Sequence, residues 1–532
     1  MTKRIQMPTI PLEELPYLKG RRLEFESIAE MLTVRSQETP DSVHVYYYDQ
    51  TITYAQTNER ANRIANFLKQ KGVSKGDVVA VMILNSPENY YAMWGAQKLG
   101  AVPLCINFML KGPEITYVLN DSKPKVAFVG SDFMADFAKG WEQADNKPLV
   151  VEAVTDVKHD AKIAGTTMAD ILAQYPADEA LVKQSPDDPF LLLYSSGTTG
   201  RPKGILLPNK AELSICRDMN RLGIIKGNDV FMVLLPMFHT NPLCVWTYPM
   251  SYAGQTLCIR KQFSPADFWP PVLQYGITLL QGVPAMLDYV YNSVDPSTID
   301  RSKLKLRGAI CGAAPLPVSL LQGFQEKFGV TIWEGYGLTE VCGVSTVNPP
   351  LGKLVPGSIG VAYPEQQVEI MDDDNNILPP GEKGEICTKG DANMIAYLNN
   401  PEATAETIKD GWLHTGDMGY MDEEGYFYIS GRKKEMINRG GENIYPREIE
   451  MVLEDHPKIA GVAVVGVPDK ALGERVKAFI IPKEKDSLTA EEVRAYLIER
   501  IAKYKVPEFY AFIEEFPLNA TGKIMKQELK KM

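Results

Sequence analysis

The sequence predicts an α/β protein, a parallel sheet with helices on both faces, followed by a small αβ unit. Three observations predict it. Short apolar runs alternate with helix-length amphipathic stretches, the pattern of strands linked by helical crossovers. The 532 residues exceed what one core organises, so at least two domains are expected. Near Ser430 the sheet-rich pattern gives way to a compact series of helix, strand, strand and helix.

The elements follow in order. Residues 1–35 read as an extension and a helix from Ser27 to about Arg35. Val43–Tyr48 and Ile52–Thr53 flank Asp49-Gln50 as a hairpin. Tyr54 to Lys71 is helical and stops before Gly72. Val78–Ile83 is a buried strand, Ser86 to Leu99 a helix closed by Gly100, and Val102 opens the next strand. Val126–Val129 and Leu149–Val151 continue the alternation, and 152–185 is polar and irregular.

The run Tyr194-Ser-Ser-Gly-Thr-Thr-Gly-Arg-Pro-Lys-Gly204 organises the rest. It follows the strand-like Phe190-Leu-Leu-Leu and precedes Ile205-Leu-Leu-Pro, which also reads as strand. Ser195, Ser196, Thr198 and Thr199 offer hydroxyls, Gly197 and Gly200 allow close backbone approach, and Lys203 adds a point charge. Backbone N–H groups and hydroxyls in such a turn cradle phosphate oxygens. It is not the Walker pattern, which places its lysine at the opening of a helix.

Ala211 to Asn220 is helical, and Val230–Leu235 is a strand ending in Pro236-Met-Phe-His239. The window Val230–Ile259 carries no formal charge, but Pro236, Pro242 and Pro249 interrupt it. Buried strands joined by a pocket-lining loop are expected there, rather than a membrane helix. Gln255–Ile259 and Thr278–Leu280 are further strands. Leu306 to Pro315 is a strand entering a turn of small residues (Gly312, Ala313, Ala314), against which a flat ring could lie. Val330–Trp333 runs into a loop, Glu334-Gly-Tyr-Gly-Leu-Thr-Glu340. Gly335 and Gly337 flank Tyr336, an aromatic that can stack on a base; Thr339 offers a hydroxyl, and Glu340 a hard oxygen ligand suited to Mg²⁺ beside phosphates.

Gly411-Trp-Leu-His-Thr-Gly-Asp417 places a carboxylate in a turn, where it can bind a ribose diol. Gly425–Ile429 is a strand, and the domain boundary is placed at Ser430–Glu435. Beyond it come a glycine-marked loop (Asn438 to Pro446), a helix Tyr445–Leu453, and strands Val462–Val467 and Val476–Ile481. Thr489 and Glu492 form a capping box for a helix to about Lys503, and Lys523 follows a flexible turn.

Composition bounds the function. Apolar residues at 45% and charged residues at 23% describe a soluble globular protein, and a net charge of −11 argues against a nucleic-acid surface. Seven cysteines without a C-x-x-C pair, and only five histidines, indicate neither a disulfide framework nor a zinc site. A reducing cytoplasm is expected, and the basic N-terminus lacks the apolar core of a signal peptide.

Together these runs resemble the adenylate-forming superfamily, in its AMP-forming acyl-CoA synthetase branch, over about residues 25 to 525. Phe263–Trp269, Gly411–Tyr420 and Ala502–Pro507 are most similar to carnitine and crotonobetaine-CoA ligases. The resemblance implies an N-terminal domain (1–430) of αβαβα layered sheets with a small β-barrel-like subdomain, a hinge (431–435), and a mobile α+β lid (436–532). It implies ATP, Mg²⁺ and coenzyme A as the small molecules handled, a carboxylate as substrate, and is compatible with a homodimer. Thr198, Thr199 and Lys203 would hold the pyrophosphate part of ATP; Gly312, Ala313, Ala314, Glu334, Gly335 and Tyr336 would surround adenine. Thr339 would contact the α-phosphate, Glu340 with Thr198 the Mg²⁺, and Asp417 and Arg432 the ribose. Lys434 falls at the hinge, Gly440 and Gly441 lie toward coenzyme A, and Lys523 is the adenylation lysine. The acyl pocket would be formed by His239, Thr240, Asn241, Gln281, Val283, Met286, Gly335, Gly337 and Cys342. His239 also stands with Lys523, Glu340, Thr198 and Lys203 in the catalytic set. No lysine or arginine is placed to hold a second carboxylate, so an uncharged short-to-medium, alicyclic or aromatic monocarboxylate is expected. An enzyme loading a carrier protein, and a non-catalytic nucleotide sensor, are the alternatives.

Overall fold

A computed structural model describes residues 4–154, 156–195, 202–294, 299–314, 316–440, 442–470, 472–518 and 524–532. Two units emerge, a large one of Lys3–Val368 with Thr388–Leu413, and a small one dominated by Glu369–Cys387 and His414–Met532.

The large unit contains two sheets. One has eight strands in the order Ala396–Tyr397, Lys203–Pro208, Pro189–Ser195, Val102–Cys105, Val78–Met82, Val126–Gly130, Leu149–Val154 and Ala164–Thr167. The six strands from Pro189–Ser195 onward in that order are parallel, and the two at the other edge are antiparallel. The other has nine strands and runs Val361–Ala362, Thr346–Val347, Thr331–Tyr336, Gly308–Cys311, Leu279–Gly282, Val230–Val233, Thr256–Ile259, Val43–Tyr47 and Gln50–Thr53. Its middle is parallel and its ends close with antiparallel pairs.

The expected crossovers are present. Ile28–Glu38, Pro87–Lys98, Asn209–Arg221 and Tyr248–Tyr252 pack on one another and on strands of both sheets, forming a middle layer. Burial is nearly complete in Pro87–Lys98, where every residue but Glu88 is buried, and Tyr90 to Ala96 put aromatic, apolar and small side chains on all sides of the helix. Gly112–Ser122 and Met134–Gln143 pack outside the eight-stranded sheet, with Ile115, Leu119 and Phe137 in its core. Pro284–Asn292 and Val318–Phe328 cover the outer face of the other, around Leu280, Ala309 and Ile332. The layers are thus αβαβα.

The uncharged window differs from the expected loop. Between strands Val230–Val233 and Thr256–Ile259 the chain forms a π-helix, Asn241–Thr247, continued by the α-helix Tyr248–Tyr252. Pro242 and Pro249 sit in first turns, where a missing N–H costs no hydrogen bond and the fixed φ suits the helix. The prolines start the helical segments instead of breaking them. No described helix is long and apolar enough to cross a membrane.

A third sheet joins Gln367–Met371, Gly384–Lys389, Trp412–Met421 and Ile408–Lys409, with Phe427–Arg432 paired to Trp412–Met421. Asp417 therefore sits in a strand rather than the expected turn, the turn being Asp410-Gly411, both at positive φ. In the small unit, Ile459–Asp469 and Gly473–Pro482 form a long antiparallel pair flanked by Ile437–Arg439, Glu442–Ile444 and Phe509–Phe512. Pro446–Glu454 and Ala490–Ile498 pack on it through Ile449, Leu453, Val493 and Leu497. The second helix ends at Ile498 rather than near Lys503; Lys503–Lys505 form a separate 3₁₀ turn after the extended Ala502.

Candidate active site

Of the residues expected to cradle phosphate, Ser196, Gly197, Thr198, Thr199 and Gly200 lie outside the described residues, as do Gly441 and Lys523. Strands Pro189–Ser195 and Lys203–Pro208 are antiparallel neighbours with Ser195 opposite Lys203. Gly204 sits in a crowded place: a Cβ there would stand 3.1 Å from Leu398 Cβ and from Tyr194 Cζ.

Lys203 places its Nζ 4.6 Å from the centroid of the Tyr397 ring. The Tyr397 hydroxyl donates to Glu340 Oε1 at 2.9 Å, and the Met394 N–H donates to the Glu340 carbonyl at 2.8 Å. One short segment thus holds Glu340 by backbone and side chain. The same segment is fixed to the loop: Leu398 N–H donates to the Gly204 carbonyl at 2.7 Å. Asn399 Nδ2 donates to Asp121, whose carboxylate accepts the Tyr194 hydroxyl at 2.6 Å. Burial and the adjacent Glu340 push the Tyr397 phenol up, so it stays a donor at neutral pH. Tyr397 was invisible to motif reading because its sequence neighbours carry no glycine or charge pattern; only pairing with Lys203–Pro208 brings it there.

The adenine candidates converge as well. Gly312 follows the strand Gly308–Cys311, and a Cβ there would stand 2.7 Å from the Gly335 carbonyl. Ala313 has φ +68°, a left-handed conformation that costs a non-glycine residue and clusters at functional turns. Glu334 is buried and its Oε1 accepts the Leu316 N–H at 3.3 Å. Strand Thr331–Tyr336 extends through Tyr336, so Glu334, Gly335 and Tyr336 are strand residues rather than loop. Thr339 and Glu340 lie in a 3₁₀ turn ended by Cys342 at φ +56°.

The acyl-pocket candidates split into two groups. Thr240 lies against Gly343, whose added Cβ would come within 3.1 Å of Thr240 Cβ and 2.9 Å of Val245 Cγ2. His239 follows Phe238 with their rings 4.3 Å apart, and Asn241 opens the π-helix, an element that recurs at functional sites. Gln281 is the third residue of strand Leu279–Gly282, Val283 stands at the N-cap of the next helix, and Met286 enters the outer core. Cys342 points elsewhere: its thiol donates to Glu212 Oε2 at 3.2 Å, and Cys216 donates to Oε1 at 3.5 Å. Glu212, Cys216, Cys244 and Cys342 are all fully buried, and burial followed by Cys342 pushes the Glu212 carboxyl well above the usual range. This is a neutral acid–thiol network beneath the π-helix rather than a pocket wall.

In the small unit, Arg432 Nε donates to Asp417 Oδ1 at 2.9 Å, and the two are paired across the strands. Glu385 orders the approach: it accepts the Gly416 N–H at 2.8 Å and meets His414 Nδ1 at 3.2 Å. Glu385, Cys387 and His414 are close enough to share an ion, as are Glu212, Cys244 and Cys342; Glu340 belongs to neither group. Lys434 lies exposed in the 3₁₀ turn Lys433–Glu435, and Gly440 has φ +62°. Lys526, not singled out by sequence, pairs with Glu435 at 2.9 Å and Glu450 at 2.8 Å. It thereby holds the C-terminal helix Lys526–Leu529 against the 3₁₀ turn Lys433–Glu435.

Comparison with known proteins agrees with this geometry. The chain is 36% identical over 496 residues to indoleacetate–CoA ligase of Aromatoleum aromaticum, covering 93% of this chain and 95% of that one. It is 32% identical to the fatty acid–[acyl-carrier-protein] ligase ScoC of Streptomyces coeruleorubidus (95% and 96% covered). It is 34% identical to crotonobetaine/carnitine–CoA ligase of Salmonella typhi (90% and 93%). Among solved structures, ATP-bound MatB from Rhodopseudomonas palustris superposes with a TM-score of 0.85 at 28% identity, covering 94% of this chain and 98% of that one. The model of the AMP-binding enzyme family matches residues 32–398 and that of its C-terminal domain residues 448–523, and the chain belongs to that family.

Proposed function

We propose that the protein is an ATP-dependent carboxylate–CoA ligase. A carboxylate oxygen attacks the α-phosphorus of ATP, the bond to the β-phosphate breaks, and pyrophosphate leaves. The thiol of coenzyme A then attacks the acyl carbon of the adenylate, loses its proton, and displaces AMP. The observation that carries this reading is the clustering of Lys203, Tyr397 and Glu340 at the root of the Ser195–Lys203 connection. It sets a cation and a carboxylate side by side where a triphosphate and its counter-ion would both need partners.

The roles follow from charge. Two anions meet in the first step, and the pentacovalent phosphorus gathers more charge, so positioned donors and cations do most of the catalytic work. Lys203 with Thr198 and Thr199 would grip the leaving pyrophosphate, and Lys523 would neutralise the α-phosphate region. Glu340, a hard oxygen donor, and Thr198 suit Mg²⁺, which supplies charge neutralisation when bound. Thr339 would meet the α-phosphate, Gly312 to Ala314 and Glu334 to Tyr336 the adenine, and Asp417 and Arg432 the ribose. His239 would sit at the carboxylate end of the acyl site. Residues 1–430 would act as the binding domain, 431–435 as a hinge at Lys434, and 436–532 as a lid bringing Lys523 or Gly440–Gly441 into play in turn. Seven buried cysteines, none in a disulfide among the described residues, support a reducing, cytoplasmic setting. A homodimer belongs to this reading and is checked by light scattering.

The test is a panel of carboxylic acids assayed for AMP and pyrophosphate with Mg-ATP, with and without coenzyme A. Acyl-CoA and AMP in equal amounts are expected. ADP and phosphate as products would overturn the reading. AMP formation that requires an acyl-carrier protein and ignores coenzyme A would move the activity to that of ScoC.

A further inference from the structure

Gln281 is fully buried, and neither its Oε1 nor its Nε2 has a hydrogen-bond partner among the described residues. Buried amides are almost always satisfied, so both ends left open mark a place built for something else. The register says where the side chain points. Leu280, Ala309 and Met232 occupy the outer core, and they lie side by side across three strands. Their neighbours Gln281, Ile310 and Phe231 therefore face the opposite, inner side.

That inner side is covered by the π-helix: Phe231 stacks on Trp246 at 4.5 Å and 13°, and strand Leu279–Gly282 touches the same helix. Gln281 lies beside Ile310, and an added Cβ on Gly335 would stand 3.5 Å from Ile310 Cγ2. Asn241, in the first turn of the π-helix, has a second buried and unsatisfied acceptor, Oδ1. The open amide thus lies on the face that packs against the π-helix opened by Asn241, one strand away from the Ile310 side chain that borders Gly335.

We infer that Gln281 selects a carboxylic acid whose tail carries a neutral group able both to donate and to accept a hydrogen bond, a hydroxyl or a carboxamide. This rests on the ligase reading above and narrows its substrate. A primary amide offers two donors and one acceptor, so a hydroxyl or carboxamide on the tail can accept from Nε2 and donate to Oε1. A purely hydrocarbon tail would leave these groups unmade, and a site built to hydrogen-bond a hydroxyl discriminates strongly against the analogue that lacks it.

The experiment compares matched acids: benzoate with its meta- and para-hydroxy derivatives, and hexanoate with its ω-hydroxy derivative. Acyl-CoA formation is measured for the wild type, Gln281→Leu and the near-isosteric Gln281→Met. The wild type should prefer the hydroxylated partner in at least one pair by about tenfold or more in kcat/KM, and both variants should lose that preference. The ratio is internal to each protein, so reduced stability of a variant does not mimic it, and Met provides the result if Leu does not fold. Equal use of both partners in every pair by an active wild type, or a preference that survives in the variants, overturns the inference and leaves the ligase reading intact. A wild type that forms acyl-CoA from no acid overturns both.

Discussion

The hydroxyl of Tyr397 donates to Glu340 Oε1 at 2.9 Å, while the face of the same ring carries Lys203 Nζ at 4.6 Å from its centroid. One side chain therefore spaces a cation from a carboxylate that would otherwise pair directly. With the proposed roles, Tyr397 is a positioning residue. Tyr397→Phe keeps the ring under Lys203 and releases Glu340. It should lower kcat of adenylation about tenfold and raise the Mg²⁺ concentration needed for half-maximal rate, the scale of one charge-assisted hydrogen bond. Tyr397→Leu should lose more, because Lys203 is freed to bridge Glu340. A Phe variant with unchanged Mg²⁺ dependence would remove Tyr397 from the site.

Gly335 and Gly337, both expected in the acyl pocket, differ in what surrounds them. A Cβ on Gly337 would stand 2.4 Å from the Gly343 carbonyl oxygen and 2.6 Å from Val344 Cα, all backbone. On Gly335 it would meet the Thr346 carbonyl at 3.3 Å and Ile310 Cγ2 at 3.5 Å, tight but nearly ordinary contacts. Gly337→Ala should force the Leu338–Gly343 turn apart, with kcat/KM down at least a hundredfold for every acid. Gly335→Ala should fold normally and shift relative rates toward smaller acids. A Gly337→Ala enzyme of wild-type activity would show that the turn yields where the geometry says it cannot.

These cases show where sequence reading succeeds. Glycine-marked runs at strand ends were legible because glycine reports backbone crowding directly, as at Gly204 and Gly312. The parallel sheets were legible because both their faces are buried, so strands such as Val78–Met82 read as continuous apolar runs. Tyr397 and Glu212 were not legible. Each acquires its partner from a residue far away in the chain, at Glu340 and Cys342, and pairing across such distances leaves no local pattern. The π-helix was missed because prolines read as breaks until their place in the first turn is known.

Glu212 leads to a stability prediction. Its carboxyl is raised well above the ordinary glutamate value of 4.5, chiefly by burial. The folded state then holds a proton that the unfolded chain has released, so its contribution to stability falls as pH rises past about 4.5 and continues to fall up to the folded pKa. The slope is at most about 1.4 kcal/mol per pH unit. Glu212→Gln cannot ionise and can still meet Cys342 and Cys216. Its urea midpoint relative to wild type should rise between pH 5 and pH 8. A difference that stays flat across that range would mean Glu212 is ionised in the fold.

His44 gives the opposite pH dependence. It is fully buried, stacked on Tyr54 at 3.9 Å, with Thr57 at 3.1 Å from Nδ1 and Ser251 at 3.0 Å from Nε2. The Tyr90 hydroxyl also reaches Nε2, at 3.2 Å. No carboxylate shares this set of contacts, and burial lowers the imidazole from 6.5 to about 3. A group whose folded pKa is depressed contributes stability that is intact above 6.5 and is lost as pH falls toward 3, because the unfolded chain takes up the proton first. The loss approaches about 1.4 kcal/mol per pH unit through that window. It concerns the layer of helices between the two sheets, since Tyr90 and Ser251 lie on Pro87–Lys98 and Tyr248–Tyr252. His44→Gln can make some of the same hydrogen bonds without titrating. It should be less stable than wild type at pH 8, because it lacks the stack on Tyr54, and should close the gap or overtake as pH falls to 5. Thermal unfolding of the two proteins across that range decides it: parallel curves would show that His44 is not the group that makes this domain acid-sensitive.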